Sequence, residues 1–194
     1  MKVQKTYLNK LYEKAEQVMD LYKKFDKRIE LIRPSLPACP YGCRDCCLTD
    51  VENIEASILE FFPLVIKWHK ENVLVQKYEE YKAATESSLC VFLQPDHTLL
   101  PQGGCTIYEF RPLVCRLFGS SALLKKRQLD YLACKKLKSQ SFDTAMLPIA
   151  NDFNDKLITI DPYLAVKKYP INEALKKALE YVLSYDYFFR ATAS

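Results

Sequence analysis

The stretch CPYGCRDCC, residues Cys39 to Cys47, places four of the chain's eight cysteines within nine positions. It decides how the remainder is read, because a cysteine run of this density is either a disulfide framework or a set of thiolate ligands. The compartment separates the two. The start, MKVQKTYLNKLYEKAEQ, turns polar and helical at once, with no apolar signal-peptide core. No apolar run approaches the roughly 18 to 20 residues needed for a bilayer span. A cytoplasmic setting is therefore expected, where thiols stay reduced and a cysteine cluster means metal or catalysis.

Disulfides are not needed for size either. A chain of 194 residues, 49% hydrophobic and 27% charged, can bury its own core as one soluble domain. The net charge of +4 comes from lysines spread along the chain, which predicts neither a nucleic-acid stripe nor a membrane surface.

Outward from the run, the pattern is helical. Leu8, Leu11, Ala15, Val18, Tyr22, Phe25, Ile29 and Ile32 step by threes and fours, predicting one long amphipathic helix over residues 7–32, stopped by Pro34 and Pro37. Its apolar face suits packing along the domain, or a seam for a second copy or a protein partner. Thr49 and Glu52 form a capping-box pattern, predicting a helix that presents Ile54, Ile58 and Phe61. Pro63 opens another, carrying Val65, Trp68, Leu74, Tyr78 and Tyr81. Residues 90–105 read as a loop or hairpin, RPLVCRLFG as a short helix with Pro112 in its first turn, and 123–137 as a further helix. KLITI (156–160) suggests a short strand, and a last helix spans about Ile171 to Phe189. The expected fold is mainly α: a single compact helical domain with a long N-terminal helix (1–33), a cysteine-cluster region (34–140) whose irregular loops surround a metal centre, and a C-terminal helical segment (141–194).

The cysteines fall at Cys39, Cys43, Cys46, Cys47, Cys90, Cys105, Cys115 and Cys134, and all eight are candidate metal ligands. Cys43 and Cys46 have the two-residue spacing that lets a tight turn close two sulfurs on one ion. All four glycines lie within four residues of a cysteine, as tightly wound loops around a bound group would require. Thiolates favour zinc, copper(I) or an iron–sulfur cluster, and the spacing does not choose among them. Adjacent Cys46 and Cys47 diverge in an ordinary backbone, so they suit two metals or opposite corners of a cluster; alternatively one is buried as a small apolar residue. Arg44, Arg111 and Arg116 could offset thiolate charge, or pair with Glu109 and Asp45 at the surface. His69 and His97 lie at no zinc-finger spacing. No GxGxxG or GxxxxGK[ST] loop and no nucleophile triad is present, so the residues assign no reaction.

The pieces CRDCC, CVFL and GGCTIYEFRPLVCRLF, with the later Cys134, resemble the YkgJ-type cysteine-cluster family, described as a zinc- or iron-chelating domain and often labelled as containing an iron–sulfur cluster. The resemblance covers about Cys39 to Cys134. It implies that Cys43, Cys46, Cys47, Cys90, Cys105 and Cys115 are the cluster, that Tyr108, Glu109, Arg111, Pro112 and Arg116 position the last of them, and that Cys134 joins. Cys39 departs from the family pattern, with three residues rather than two before the next cysteine. Flagellin lysine N-methylases carry a similar arrangement, so three readings follow. They are a metal-binding protein holding an iron–sulfur cluster (a [4Fe–4S] core) or zinc with a redox or accessory role, a structural zinc interaction module, and a protein-lysine methylase-related enzyme.

Overall fold

A computed structural model describes residues 2–37, 43–94 and 104–191; Cys39, Gly42, His97 and Gly103 lie outside the described residues. The fold is mainly α. Helix α1, Lys2–Ile32, is the long amphipathic helix, and it ends in a single 3-10 turn at Arg33–Ser35 that contains Pro34. Leu11, Ala15, Val18, Tyr22, Phe25 and Ile29 are buried along one face. They pack against α2, Phe62–Lys70, and α6, Ala150–Ile160. Burying one such Phe or Ile is worth roughly 1.5–3 kcal/mol, so the face offered by the sequence to either a core or a partner is taken up by the domain itself.

After the short helix α7, Pro162–Ala165, the last helix, α8 (Ile171–Ala191), buries Ile171, Leu175, Ala178 and Val182 at steps of three and four. Two small sheets complete the frame. Strand β1, Glu55–Ser57, pairs antiparallel with β4, Lys168–Pro170, joining the cysteine-rich half to the C-terminal segment. Strands β2, Ala122–Lys125, and β3, Gln128–Tyr131, form a hairpin.

Four local expectations are corrected. After the cysteine run there is no long helix. Asp50, not Thr49, caps one 3-10 turn at Val51–Asn53 through the Glu52 amide (3.1 Å), and β1 follows because its backbone finds β4. The helix opened by Pro63 breaks at Asn72, which takes a left-handed φ of 59°, and restarts as α3, Leu74–Tyr81. KLITI is the end of α6, since Ala150, Phe153 and Leu157 are the buried positions and their spacing is helical.

Residues 123–137 are mostly hairpin. Ala122 donates to the Pro148 carbonyl (3.0 Å) and Leu124 to the Asn151 side chain (2.9 Å), so this backbone has outside partners that a helix would forgo. Leu124 and Leu129 are cross-strand partners on the exposed side. The turn holds Lys126 at φ 48° and Arg127 at φ 69°, the primed-turn geometry that favours Asn-Gly. Replacing Lys126 and Arg127 with Asn and Gly is therefore expected to stabilise the protein by about 1 kcal/mol, read as a raised melting temperature; a lowered one would refute the strain.

Helices α4, Leu113–Leu117, and α5, Lys135–Lys138, are short and carry the later cysteines to one side of the core. Trp68 stacks on Tyr81 with ring centroids 5.8 Å apart, and Phe92 lies against both. Among the described residues no helix is long and apolar enough to cross a membrane.

Candidate metal centre

Four structural pieces bring cysteines together. The first is the tight turn over residues 43–47, closed by the Cys47 and Leu48 amides donating to the Arg44 carbonyl at 2.7 and 3.1 Å. Arg44 donates from its guanidinium to the Gln94 carbonyl (2.6 Å), and Asp45 pairs with Lys136 of α5 (2.5 Å). The second is an isolated antiparallel bridge in which Leu93 pairs with Cys105 and the Gln94 amide donates to the Gly104 carbonyl (2.8 Å), setting the segments of Cys90 and Cys105 side by side. Gly104 has φ +78°, and a Cβ there would come within 3.2 Å of the Gln94 carbonyl oxygen, so this closure needs glycine. The third is α4, bearing Cys115 behind the Pro112 N-cap. The fourth is α5, whose N-cap is Cys134.

Cys43, Cys46, Cys47, Cys90, Cys105, Cys115 and Cys134 all line one cavity of about 410 Å³, and none of them is in a disulfide. Cys90, Cys105 and Cys115 pack against the main hydrophobic core and Cys134 against the smaller one built on Ala122, Tyr131, Leu137 and Leu147. The three cysteines of the 43–47 turn pack against neither. Cys46 and Cys47 do not diverge as expected: their sulfurs stand 3.9 Å apart. Among the described residues no three His, Cys, Asp or Glu side chains are grouped to hold a single ion.

A family model described as "CxxCxxCC: Putative zinc- or iron-chelating domain" matches residues 38–144, more than half of the chain. The chain belongs to the CxxCxxCC family. No curated protein and no solved structure matches it. The CxxCxxCC match spans every cysteine and the whole cavity wall except Ile171, and it agrees with the YkgJ-type resemblance carried by the same motifs.

Within the CxxCxxCC segment the thiols sit in an environment that disfavours their charge. Burial pushes Cys115 well up, helped by neighbouring Cys90 and opposed by Arg111; burial pushes Cys90 up to about 11. Burial also raises Cys105, against the pull of Arg111 and Arg116. Cys46 is raised first by its hydrogen bond with Cys47 and then by burial.

The two arginines part company. Arg111 lines the cavity and lies over the Tyr108 ring at 3.5 Å. Arg116 is buried and does not line it. It donates to the Arg111 carbonyl (2.9 Å) and the Glu109 carbonyl, pairs with Asp26 of α1, and lies over Tyr22 at 4.5 Å. The surface pairing weighed from the sequence takes a different form, because Glu109 takes part through its backbone and Asp45 through Lys136. His69 is hydrogen-bonded with Tyr12 (2.9 Å) and does not line the cavity.

Three polar residues outside any cysteine motif hold the CxxCxxCC walls in place. Glu60, fully buried, accepts from the Ser57 amide (2.9 Å) and hydroxyl (3.1 Å), from Lys168 (2.5 Å) and from the Val114 amide at the start of α4 (3.2 Å). Asn172, at the start of α8, accepts from the Val91 amide (3.2 Å) and donates to the carbonyls of Ala84 (3.0 Å) and Leu89 (2.9 Å), fixing the segment of Cys90. Asp26 holds Arg116. Nothing local marks Asp26 or Asn172 in the sequence, whereas Glu60 stands out as the one charge in the apolar run ILEFFPLVI (58–66). Asp26 and Asn172 belong to helices outside the matched segment.

Proposed function

We propose that the protein carries a thiolate-bound iron–sulfur cluster in this cavity and serves in electron transfer, redox sensing or as an accessory redox part. The observation that carries the reading is the lining of one cavity by seven cysteines, none of them in a disulfide. Sulfurs bound to one tetrahedral ion stand about 3.8 Å from each other, whereas a cluster core takes its thiolates at separate corners and needs room between them. Cys90, Cys105 and Cys115, fixed on the core, are the anchoring ligands, and Cys43 or Cys134 completes the set. Arg111 on the wall offsets the negative charge that thiolates bring. When bound, such a cluster supplies one-electron chemistry. A reducing, cytoplasmic setting suits a cavity lined by thiols that are free among the described residues.

Anaerobic purification followed by metal analysis and an absorption spectrum tests this. Iron with matching acid-labile sulfide and a broad brown visible absorbance is expected; zinc as the sole metal in a colourless protein would overturn it.

The raised thiols give the pH dependence its sign. In the metal-free protein Cys90, Cys105 and Cys115 are protonated at neutral pH, so binding must release those protons. Lower pH favours the protonated, metal-free side. From about pH 8 to about pH 6, affinity in a chelator competition should fall by roughly tenfold per pH unit for each proton displaced. A pH-independent affinity would mean that these thiols are not the ligands.

A further inference from the structure

The lysines run the length of the chain, but the excess of positive charge does not. Residues 125–138 hold six of the 28 Lys and Arg and one of the 24 Asp and Glu; the other residues carry 22 against 23, so the whole surplus of +4 comes from this one stretch. The fold gathers it onto one surface. Lys125, Lys126 and Arg127 lie at the β2–β3 turn, and Lys135, Lys136 and Lys138 lie on α5; Lys138 reaches across to Asp130 of β3 (2.9 Å) and ties the two elements together. All six cations are exposed. Asp130 serves Lys125 and Lys138, and Asp45 serves Lys136, whereas among the described residues Lys126, Arg127 and Lys135 have no carboxylate partner. The turn also holds its two cations in left-handed backbone, φ 48° and 69°, where Asn-Gly would sit without strain. Charge at this tip is kept against local preference, as functional positions often are. Lysines on a hairpin can serve only to block edge-to-edge pairing, but α5 has no edge to guard and supplies half of the cations. The surface begins at the cavity itself: Asp45, the partner of Lys136, lines the cavity, and so does Cys134, which α5 follows directly.

Resting on the reading of the cavity as a cluster site, we propose that the surface formed by α5 and the β2–β3 turn docks an acidic protein electron carrier, which exchanges one electron with the cluster on the Cys134 side of the cavity. In that step one electron leaves the reduced centre of the carrier and enters the oxidised cluster, and no covalent bond is made or broken. Exposed charge of this kind acts on encounter more than on residence, speeding and orienting association. That suits a partner that must leave after each electron, and complexes of this class are small and weak. Nucleic acid fits the surface less well. Single strands are held by bases stacking on exposed aromatic rings, and the one aromatic residue of the stretch, Tyr131, is buried, with its hydroxyl donating to the Gly119 carbonyl (2.8 Å).

The test uses the full-length protein and, as the probe, an acidic plant-type [2Fe–2S] ferredoxin carrying a fluorescent label, with binding followed by anisotropy. At about 0.1 M salt, where screening acts within about 10 Å, wild type should bind, and raising the salt should release the probe. The double variant Lys126→Asn with Arg127→Gly should weaken binding by about tenfold, as should Lys135→Glu. The double variant is expected to melt higher than wild type, so its loss of binding cannot be loss of fold. Lys23→Glu with Lys24→Glu, exposed on α1 and outside this surface, changes the net charge more and should leave binding within about twofold. Absence of binding by wild type, unchanged binding in the α5 and turn variants, or an equal loss in the α1 variant would each overturn the docking surface. So would tighter binding of single-stranded oligouridylate than of ferredoxin, or a dimer of the protein alone that the turn variant splits, since the occupant would then be nucleic acid or a second copy. With iron-loaded protein, reduced ferredoxin should bleach the cluster absorbance, about tenfold more slowly in the same variants; binding to an iron-bearing chain with no bleaching would overturn the exchange. A chain that never assembles iron and sulfide sinks the cluster reading while the anisotropy still decides the surface, so the two failures are distinguishable.

Discussion

Cys115→Ser is expected to empty the cavity of iron and sulfide while the polypeptide still folds. Cys115 sits on α4, against the hydrophobic core, with Cys90 and Cys105 as its electrostatic neighbours. Serine has nearly the same shape, so α4 keeps its packing on Leu113 and Leu117, both buried. What changes is the donor, because a hydroxyl is a hard and weakly acidic ligand where a soft thiolate is wanted. Altering groups one shell out from a metal already costs 10–100-fold in affinity, so losing a ligand should cost at least about a hundredfold. Iron and sulfide per chain should fall to background after gel filtration, and the metal-dependent part of the melting temperature should vanish with them. A Cys115→Ser protein with a full complement of iron and sulfide would remove Cys115 from the ligand set.

The second large effect falls on a residue with no sulfur. Glu60→Ala should destabilise the fold by roughly 3–5 kcal/mol, the usual cost of stripping one partner from a buried charged network. Its carboxylate is the shared acceptor for two backbone amides, the Ser57 hydroxyl and Lys168, and alanine leaves all of them without it. Against a typical total of about 5–15 kcal/mol, that is enough to shift a urea unfolding midpoint strongly with little change in slope. Glu60→Gln keeps the shape and part of the bonding and should lie between the two. A loss below about 1 kcal/mol in the alanine variant would mean that water or a neighbour replaces the carboxylate.

The parts of the fold readable in the sequence are those where local pattern and tertiary demand agree. Leu11 to Ile29 and Ile171 to Val182 keep helical spacing because a single flat core faces each of them, and the prolines after Ile32 stop α1 where expected. The hairpin at 122–131 was not readable. Its leucines fit a helix, and only the carbonyl of Pro148 and the side chain of Asn151, both distant in sequence, decide otherwise. Thr49 and Glu52 imitate a helix start, but the cap belongs to Asp50 and the chain is drawn off into β1 by its partner strand. For the site, cysteine spacing groups the right chemistry, and the resemblance found in CRDCC and GGCTIYEFRPLVCRLF agrees with the family match. Spacing could not say that Cys46 and Cys47 would present their sulfurs together, since this depends on the turn closed at Arg44. Nor could it distinguish Arg111, on the cavity wall, from Arg116, turned toward Asp26.

The braces contributed by Asp26 and Asn172 come from opposite ends of the chain, outside the segment that carries every cysteine. The cysteine segment is therefore not a portable cassette. Cut free of its flanking helices, or grafted onto other ones, it would keep its sulfurs but lose the rigging that sets α4 and the Cys90 segment, and tuning such a pocket need not touch a cysteine at all.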